Sequence, residues 1–206
     1  MRIVVIGATG TTGRAVVAEA RRRGDRVTAA ARSAPGRPWP EGVEAQALDI
    51  CDPRSVDGVL RDADAVVVTV GIGTARQPTQ VYSLGIRNVL SAMQADTALR
   101  LAVISAVPAA PPEALSRGQR WIGRGLGLFF GATYTDMRRM EATLSSSPLR
   151  WTCLRPPRLV DRPARGEYRI TAAPSGSTIT HTDLACALLD VLDDAGSDGR
   201  FLFVAN

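Results

Sequence analysis

Seven residues near the start of the chain, Gly7-Ala8-Thr9-Gly10-Thr11-Thr12-Gly13, have the residue types and spacing of a turn that holds linked phosphates. Gly7 can make the sharp bend out of a strand, and Gly10 lets the backbone approach a pyrophosphate. Gly13 lets the following helix pack closely on that strand. A helix opening here offers unpaired N–H groups and the positive end of its dipole to an anion. The hydroxyls of Thr9 and Thr12 are candidate additional donors. Such a turn predicts a dinucleotide ligand, and the second strand bears on which one. NAD-binding chains place a carboxylate at the end of that strand, roughly 20 residues on, for the ribose 2′-OH. Asp25 has about that offset but precedes the strand, which finishes Ala29-Ala30-Ala31-Arg32-Ser33. Arg32 is a planar cationic fork suited to a 2′-phosphate, so the expected cofactor is NADP. The alternative is NAD, with Arg32 a solvated loop residue.

The elements that must position these residues alternate from the start. Arg2–Ile6 is a short apolar run, Arg14–Arg23 carries Val16, Val17 and Ala20 on one helical face, and Val27–Ala31 is a second strand. Val43–Leu48, Ala65–Val70 and Leu101–Ser105 read as strands three to five, with helices predicted at Pro53–Leu60 and Thr79–Gln94 between them. The fully apolar fourth run is what a buried parallel strand requires. Beyond Pro108 the pattern loosens. Pro-rich and Gly-rich stretches surround Trp121 to Phe130, and a helix resumes at Thr135–Ser145. Trp151–Leu154 and Phe201–Val204 are further strands, and Tyr168–Ala172 and Ser177–Thr180 are two strands around a Pro-Ser-Gly turn. Thr182–Leu192 is a helix capped by Thr182 or Asp183. The expected fold is a single α/β domain, Rossmann-like and doubly wound, with a mostly parallel sheet and helices on both faces. Residues 1–107 form its cofactor half and 108–206 its substrate-side half.

Composition removes several other classes. At 206 residues, with 45% hydrophobic and 22% charged, the chain has material for one good core, and disorder is excluded. The net charge of +5 comes entirely from arginine, since lysine is absent, and the arginines are scattered apart from Arg21-Arg22-Arg23. With only 5% aromatic residues there is no evident base-stacking surface, so nucleic acid is not an expected partner. An anionic cofactor and a small polar substrate account for the charge. Cys51, Cys153 and Cys186 have no metal-binding spacing and read as reduced and packed, and no metal is expected. The apolar run Ile3–Ile6 is too short for a leader or a membrane span, so the expected setting is the cytoplasm, away from membranes.

The G-x-x-G-x-x-G spacing resembles that of the short-chain dehydrogenase superfamily, especially its extended and atypical branches. Two longer stretches narrow the likeness: Gly71-Ile72-Gly73-Thr74 through Tyr82 to Asn88, and Trp151-Thr152-Cys153-Leu154-Arg155-Pro156-Pro157-Arg158-Leu159 continuing to Thr182-Asp183-Leu184-Ala185. Over nearly its whole length the chain is similar to the flavin reductase/biliverdin-IXβ reductase group, and more distantly to NmrA-like proteins. The resemblance implies an NAD(P)H-binding fold with the nicotinamide near the end of strand five. It puts Asp49, Ile50, Gly71, Gly73 and Tyr82 on the cofactor's adenine side and middle, and Ser105 beside the nicotinamide. Arg158 stands where that group often carries a histidine, and residues Pro111 to Tyr134 do not follow its pattern.

Without lysine, the Tyr-x-x-x-Lys acid of most short-chain dehydrogenases cannot operate. Tyr134-Thr-Asp-Met-Arg138 keeps the spacing with arginine instead, and Tyr134 reads better as the end of a loop. The candidate catalytic residues are therefore Ser105, as a donor to cofactor or substrate, and Arg158, orienting an anionic substrate or meeting developing charge. His181 reads as a turn residue. The expected function is hydride transfer from NAD(P)H to a small conjugated acceptor such as a flavin or quinone. A non-catalytic NADP sensor of the NmrA-like kind and a nucleotide-sugar epimerase or dehydratase are the alternatives.

Overall fold

Seven strands run parallel in one sheet, and the apolar residues on both faces of its central strands are covered by helices. The computed structural model describes residues 1–72 and 79–206, apart from the side chains of residues 117 and 119–129. The strands β1 (Arg2–Ile6), β2 (Arg26–Ala30), β3 (Val43–Gln46), β4 (Ala65–Val68), β5 (Arg100–Ile104), β6 (Arg150–Arg155), β8 (Arg169–Thr171) and β10 (Arg200–Ala205) form one sheet. Its order is β3-β2-β1-β4-β5-β6-β10-β8, and only the β10–β8 pair is antiparallel. Two short strands, β7 (Arg158–Val160) and β9 (Thr178–Thr180), make a separate parallel pair.

Pleating sends alternate residues to opposite faces. Val4, Ile6, Val66, Val68 and Leu101 meet α2 (Pro53–Leu60), α3 (Val81–Met93) and α4 (Arg117–Ser145) on one side. Ile3, Val5, Val27, Val67 and Ala102 meet α1 (Thr11–Arg22) and α5 (His181–Asp193) on the other. The doubly wound α/β fold expected from the sequence is the fold observed.

Three features differ from expectation. Residues 122–131, read as a Gly-rich loop, lie within α4, which bends at Phe130 (φ −125°, ψ 18°). Glycine weakens a helix by about 1 kcal/mol per residue, but only proline forbids one. Tyr134 is consequently a helix residue and not the end of a loop. Whether Trp121 to Phe129 form a lid falls on side chains outside the described set. Next, the strands flanking Pro174-Ser175-Gly176 do not pair with each other: β8 pairs with β10 and β9 with β7, and β9 is also held by Asn206. Its backbone N–H donates to the Thr178 carbonyl (3.1 Å), and its side-chain oxygen accepts from the Thr180 N–H (3.0 Å). Finally, the cap of α5 is Thr180, whose hydroxyl accepts from the Asp183 N–H (3.0 Å), and His181 is the first residue of that helix.

Candidate functional site

The sheet reverses its order between β1 and β4, and in open α/β sheets the crevice beyond the strand ends at such a point is where ligands bind. A cavity of about 590 Å³ lies there, walled by the C-terminal ends of four strands. Ile6, Gly7, Thr9 and Gly10 come from β1 and its turn, Arg32 and Ser33 from β2. Asp49, Ile50 and Cys51 follow β3, and Thr69 to Ile72 follow β4.

The glycines of the turn are needed for space as well as for conformation. Gly7 has φ +88°, and a Cβ there would lie 2.9 Å from the Thr69 carbonyl carbon and the Val70 nitrogen. A Cβ on Gly13 would lie 2.3 Å from the Gly7 carbonyl oxygen, so α1 packs onto the turn with no room for a methyl group. Gly10 is the N-cap of α1, and no side chain caps the helix. The first paired amide of the helix is that of Arg14, on the Gly10 carbonyl (2.9 Å), leaving the N–H groups of Thr11, Thr12 and Gly13 without an acceptor among the described residues. Three free donors, a helix dipole and a bare turn at the mouth of a cavity fit a dinucleotide pyrophosphate.

Arg32 is exposed on the cavity rim, and its guanidinium makes no hydrogen bond or ion pair with the described residues. Asp25, the carboxylate with the NAD-like offset, sits at the other end of the sheet and accepts from the Met1 ammonium (2.7 Å). Asp49 turns one carboxylate oxygen to the Cys51 N–H (2.9 Å), and its own N–H donates to the Ser55 hydroxyl (3.1 Å). Ile50 is buried, and its carbonyl accepts from the Asn88 side chain (2.9 Å). Burial, aided by Asp49, pushes the Cys51 thiol pKa up, so this cysteine is a neutral wall residue.

Tyr82 lies behind the wall. It is buried, its hydroxyl accepts from the Ile72 N–H (3.3 Å), and burial raises its pKa. It therefore holds the Gly71–Ile72 loop from the protein side. Gly73, expected beside the cofactor, falls outside the described residues. The Thr12 side chain does not line the cavity, and its hydroxyl is 2.7 Å from Nδ1 of His181.

On the substrate side, Ser105 is 2% exposed and its hydroxyl donates to Glu141 (2.7 Å). Its single proton is thus directed into the protein, which removes the free donor expected at this position; the oxygen keeps acceptor capacity. Glu141 also accepts from Nε and Nη2 of Arg155, at 3.0 and 2.8 Å, and Arg155 lies 4.4 Å over the Phe201 ring. This buried unit ties the ends of β5 and β6 to α4. Arg158 is exposed at the start of β7, outside the cavity lining, and has no partner among the described residues. Arg138 donates to the Pro108 carbonyl (3.2 Å), and burial alone raises the Tyr134 pKa. The two do not work as an activated acid.

Sequence reasoning missed two acidic side chains. Asp136 is fully buried and accepts from the Tyr82 N–H (3.0 Å) and from the Ser83 hydroxyl, so α4 caps α3 beneath the cavity wall. Glu141 is the other. A signal existed: Thr133, Asp136, Met137, Met140, Glu141 and Leu144 share the buried face of α4, so two acids interrupt an apolar helical pattern.

The sequence model of the NAD(P)H-binding family matches residues 7–195. Among solved structures, the oxidoreductase ylbE from Lactococcus lactis is 21% identical with a TM-score of 0.83, covering 100% of this chain and 91% of that one. A wide-type short-chain dehydrogenase/reductase from Veillonella parvula in complex with NADP is 18% identical with a TM-score of 0.76, covering 100% and 94%. A Streptococcus pneumoniae protein provisionally named an NADH-flavin reductase is 20% identical with a TM-score of 0.78, covering 100% and 99%. Among the described residues no helix is long and apolar enough to cross a membrane.

Proposed function

Because the chain belongs to the NAD(P)H-binding family, we propose that it is an NADPH-dependent reductase acting on a small conjugated acceptor of flavin or quinone type. The observation that carries this reading is Arg32, a cation with no hydrogen-bond or ion-pair partner among the described residues, on the rim of the cavity that Gly7, Thr9 and Gly10 of the glycine turn line, next to the open end of α1 with its amides of Thr11, Thr12 and Gly13. Those amides bind the pyrophosphate, and Thr9 lies within reach as a further donor. Arg32 takes the 2′-phosphate in a forked, charge-assisted contact. Asp49 and Ile50 bound the adenosine end, and Gly71 the middle, with Tyr82 bracing that loop from behind. When bound, the cofactor supplies hydride from its reduced nicotinamide.

The chain's own groups then narrow the acceptor. It has no lysine, the Ser105 proton is held by Glu141, and Tyr134 is shifted away from easy ionisation. Among the described residues no activated acid is therefore offered for reducing an isolated carbonyl. A conjugated acceptor delocalises the charge it receives and can take its proton from water. Arg158, an exposed cation just beyond the end of β6 with no partner among the described residues, orients an anionic acceptor or meets that charge.

Replacing Arg32 with alanine is expected to weaken NADPH about 10- to 100-fold, the worth of a charged hydrogen-bonding contact, and to leave NADH nearly unchanged. Equal losses for both cofactors would reject the assignment of Arg32. Steady NADPH oxidation with a panel of flavins and quinones tests the reductase itself. Tight binding with no turnover of any acceptor would replace it with an NADP-sensing regulator of protein partners.

A further inference from the structure

The chain's only histidine sits against the helix end that the proposed function gives to the pyrophosphate. Thr12 is the second residue of α1 and His181 the first of α5, and the two helices pack side by side on one face of the sheet. Thr12 is 8% exposed, and its Oγ lies 2.7 Å from His181 Nδ1. Its backbone N–H is one of the three at the open end of α1. A single hydroxyl therefore connects an ionisable ring to the anion-binding turn.

We propose that His181 is the proton-linked member of this phosphate site. It takes up a proton when a dinucleotide pyrophosphate binds, and its Nδ1–H then donates to Thr12 so that the Thr12 hydroxyl donates to a phosphate oxygen. The proposal rests on the reading that the α1 end holds NAD(P)H.

In the neutral ring with its proton on Nε2, Nδ1 is an acceptor and occupies the one proton that Thr12 can give. That hydroxyl cannot then serve the phosphate. One proton from solvent added to Nδ1 reverses the hydrogen bond. The Thr12 proton stays on its oxygen and rotates toward the ligand, and a positive charge is added near the pyrophosphate charges.

The groups around the ring permit this switch. Burial lowers the His181 pKa below its ordinary value of 6.5, and Asp161, the charged group acting on it from the loop after β7, opposes that shift. Asp183, two residues along α5, is already engaged by the N–H groups of Arg165 and Gly166, the Thr180 hydroxyl and the Asn206 amide. From α1 the side chain in contact is Thr12. The free protein thus favours the neutral ring, and the bound anion favours the charged one. Affinity rises as pH falls from the pKa of the complex to that of the free protein, and is level outside that window.

Because no other histidine is present, the ring signals of an untagged sample belong to His181 without assignment by mutation. The NMR-measured pKa is expected to rise by about one unit or more between free protein and protein saturated with NADP⁺. In parallel, the NADP⁺ affinity of the wild type should rise roughly three- to tenfold more between about pH 8 and pH 6 than that of His181→Asn. Asparagine keeps an acceptor for Thr12 but does not titrate, and titration of the cofactor's own 2′-phosphate is common to both proteins. A histidine pKa unmoved or lowered by saturating NADP⁺ overturns the proposal, as does an identical pH profile in His181→Asn. Absence of NADP⁺ binding at every pH overturns instead the cofactor reading, and this proposal with it.

Discussion

Replacing Gly13 with alanine is expected to abolish measurable NADPH binding while leaving a folded but less stable protein. The added Cβ would lie 2.3 Å from the Gly7 oxygen and 2.8 Å from the Ala8 Cα, both backbone atoms that no side-chain rotation can move. The start of α1 must therefore lift off the turn, and the amides of Thr11, Thr12 and Gly13 leave the geometry that converges on one anion. Overpacking of this kind costs about 1–3 kcal/mol, which lowers Tm by roughly 2–12 °C for a chain of this size. Gly10→Ala is the control. Its Cβ would approach the Gly7 oxygen only to 3.5 Å, at an ordinary contact distance, and should leave the unfolding free energy within about 0.5 kcal/mol of the wild type. Calorimetry of both variants, with an NADPH titration of each, checks the pair. Normal NADPH affinity in Gly13→Ala would show that the α1 end is not the phosphate site.

The second large effect is expected at Glu141. Its carboxylate is the hydrogen-bonded partner of the Arg155 guanidinium and of the Ser105 hydroxyl, and all three residues are buried. Glu141→Ala leaves a cation without its counter-charge between α4 and the sheet. The phenyl faces of Phe201 and Phe203, 4.4 and 5.5 Å away, offset only part of that loss. Removing one partner of a buried pair costs about 3–5 kcal/mol, so Tm should fall by roughly 6–20 °C. Replacing both charges, in Glu141→Leu with Arg155→Leu, is expected to recover most of this stability, because no unpaired charge then remains. Additive losses in the double variant would mean that the pair acts through packing and not through charge.

The cofactor half was legible in the sequence because its signals are local. A turn with three glycines, an apolar run before it and an amphipathic helix after it all lie within 22 residues. The placement of Arg32 after β2 follows from strand order alone. The substrate half was less legible because its geometry depends on contacts between distant elements. The fate of the Ser105 proton is decided by Glu141, 36 positions later, and that of Thr12 by His181, 169 positions later. Asp136 and Glu141 were present as acids on a buried helix face. Their pattern showed that partners were needed, while only the packing of α4 on α3, β5 and β6 showed which ones. Residues 122–131 misled for a different reason: glycine content lowers helix propensity, yet the helix forms across them.

A crystal structure of the protein with NADP⁺ tests the central claim most directly. The account predicts pyrophosphate oxygens within hydrogen-bonding distance of the amides of Thr11, Thr12 or Gly13, and the 2′-phosphate against the Arg32 guanidinium. A dinucleotide bound away from the end of α1, or one whose 2′-phosphate lies in solvent with Arg32 turned elsewhere, would contradict it.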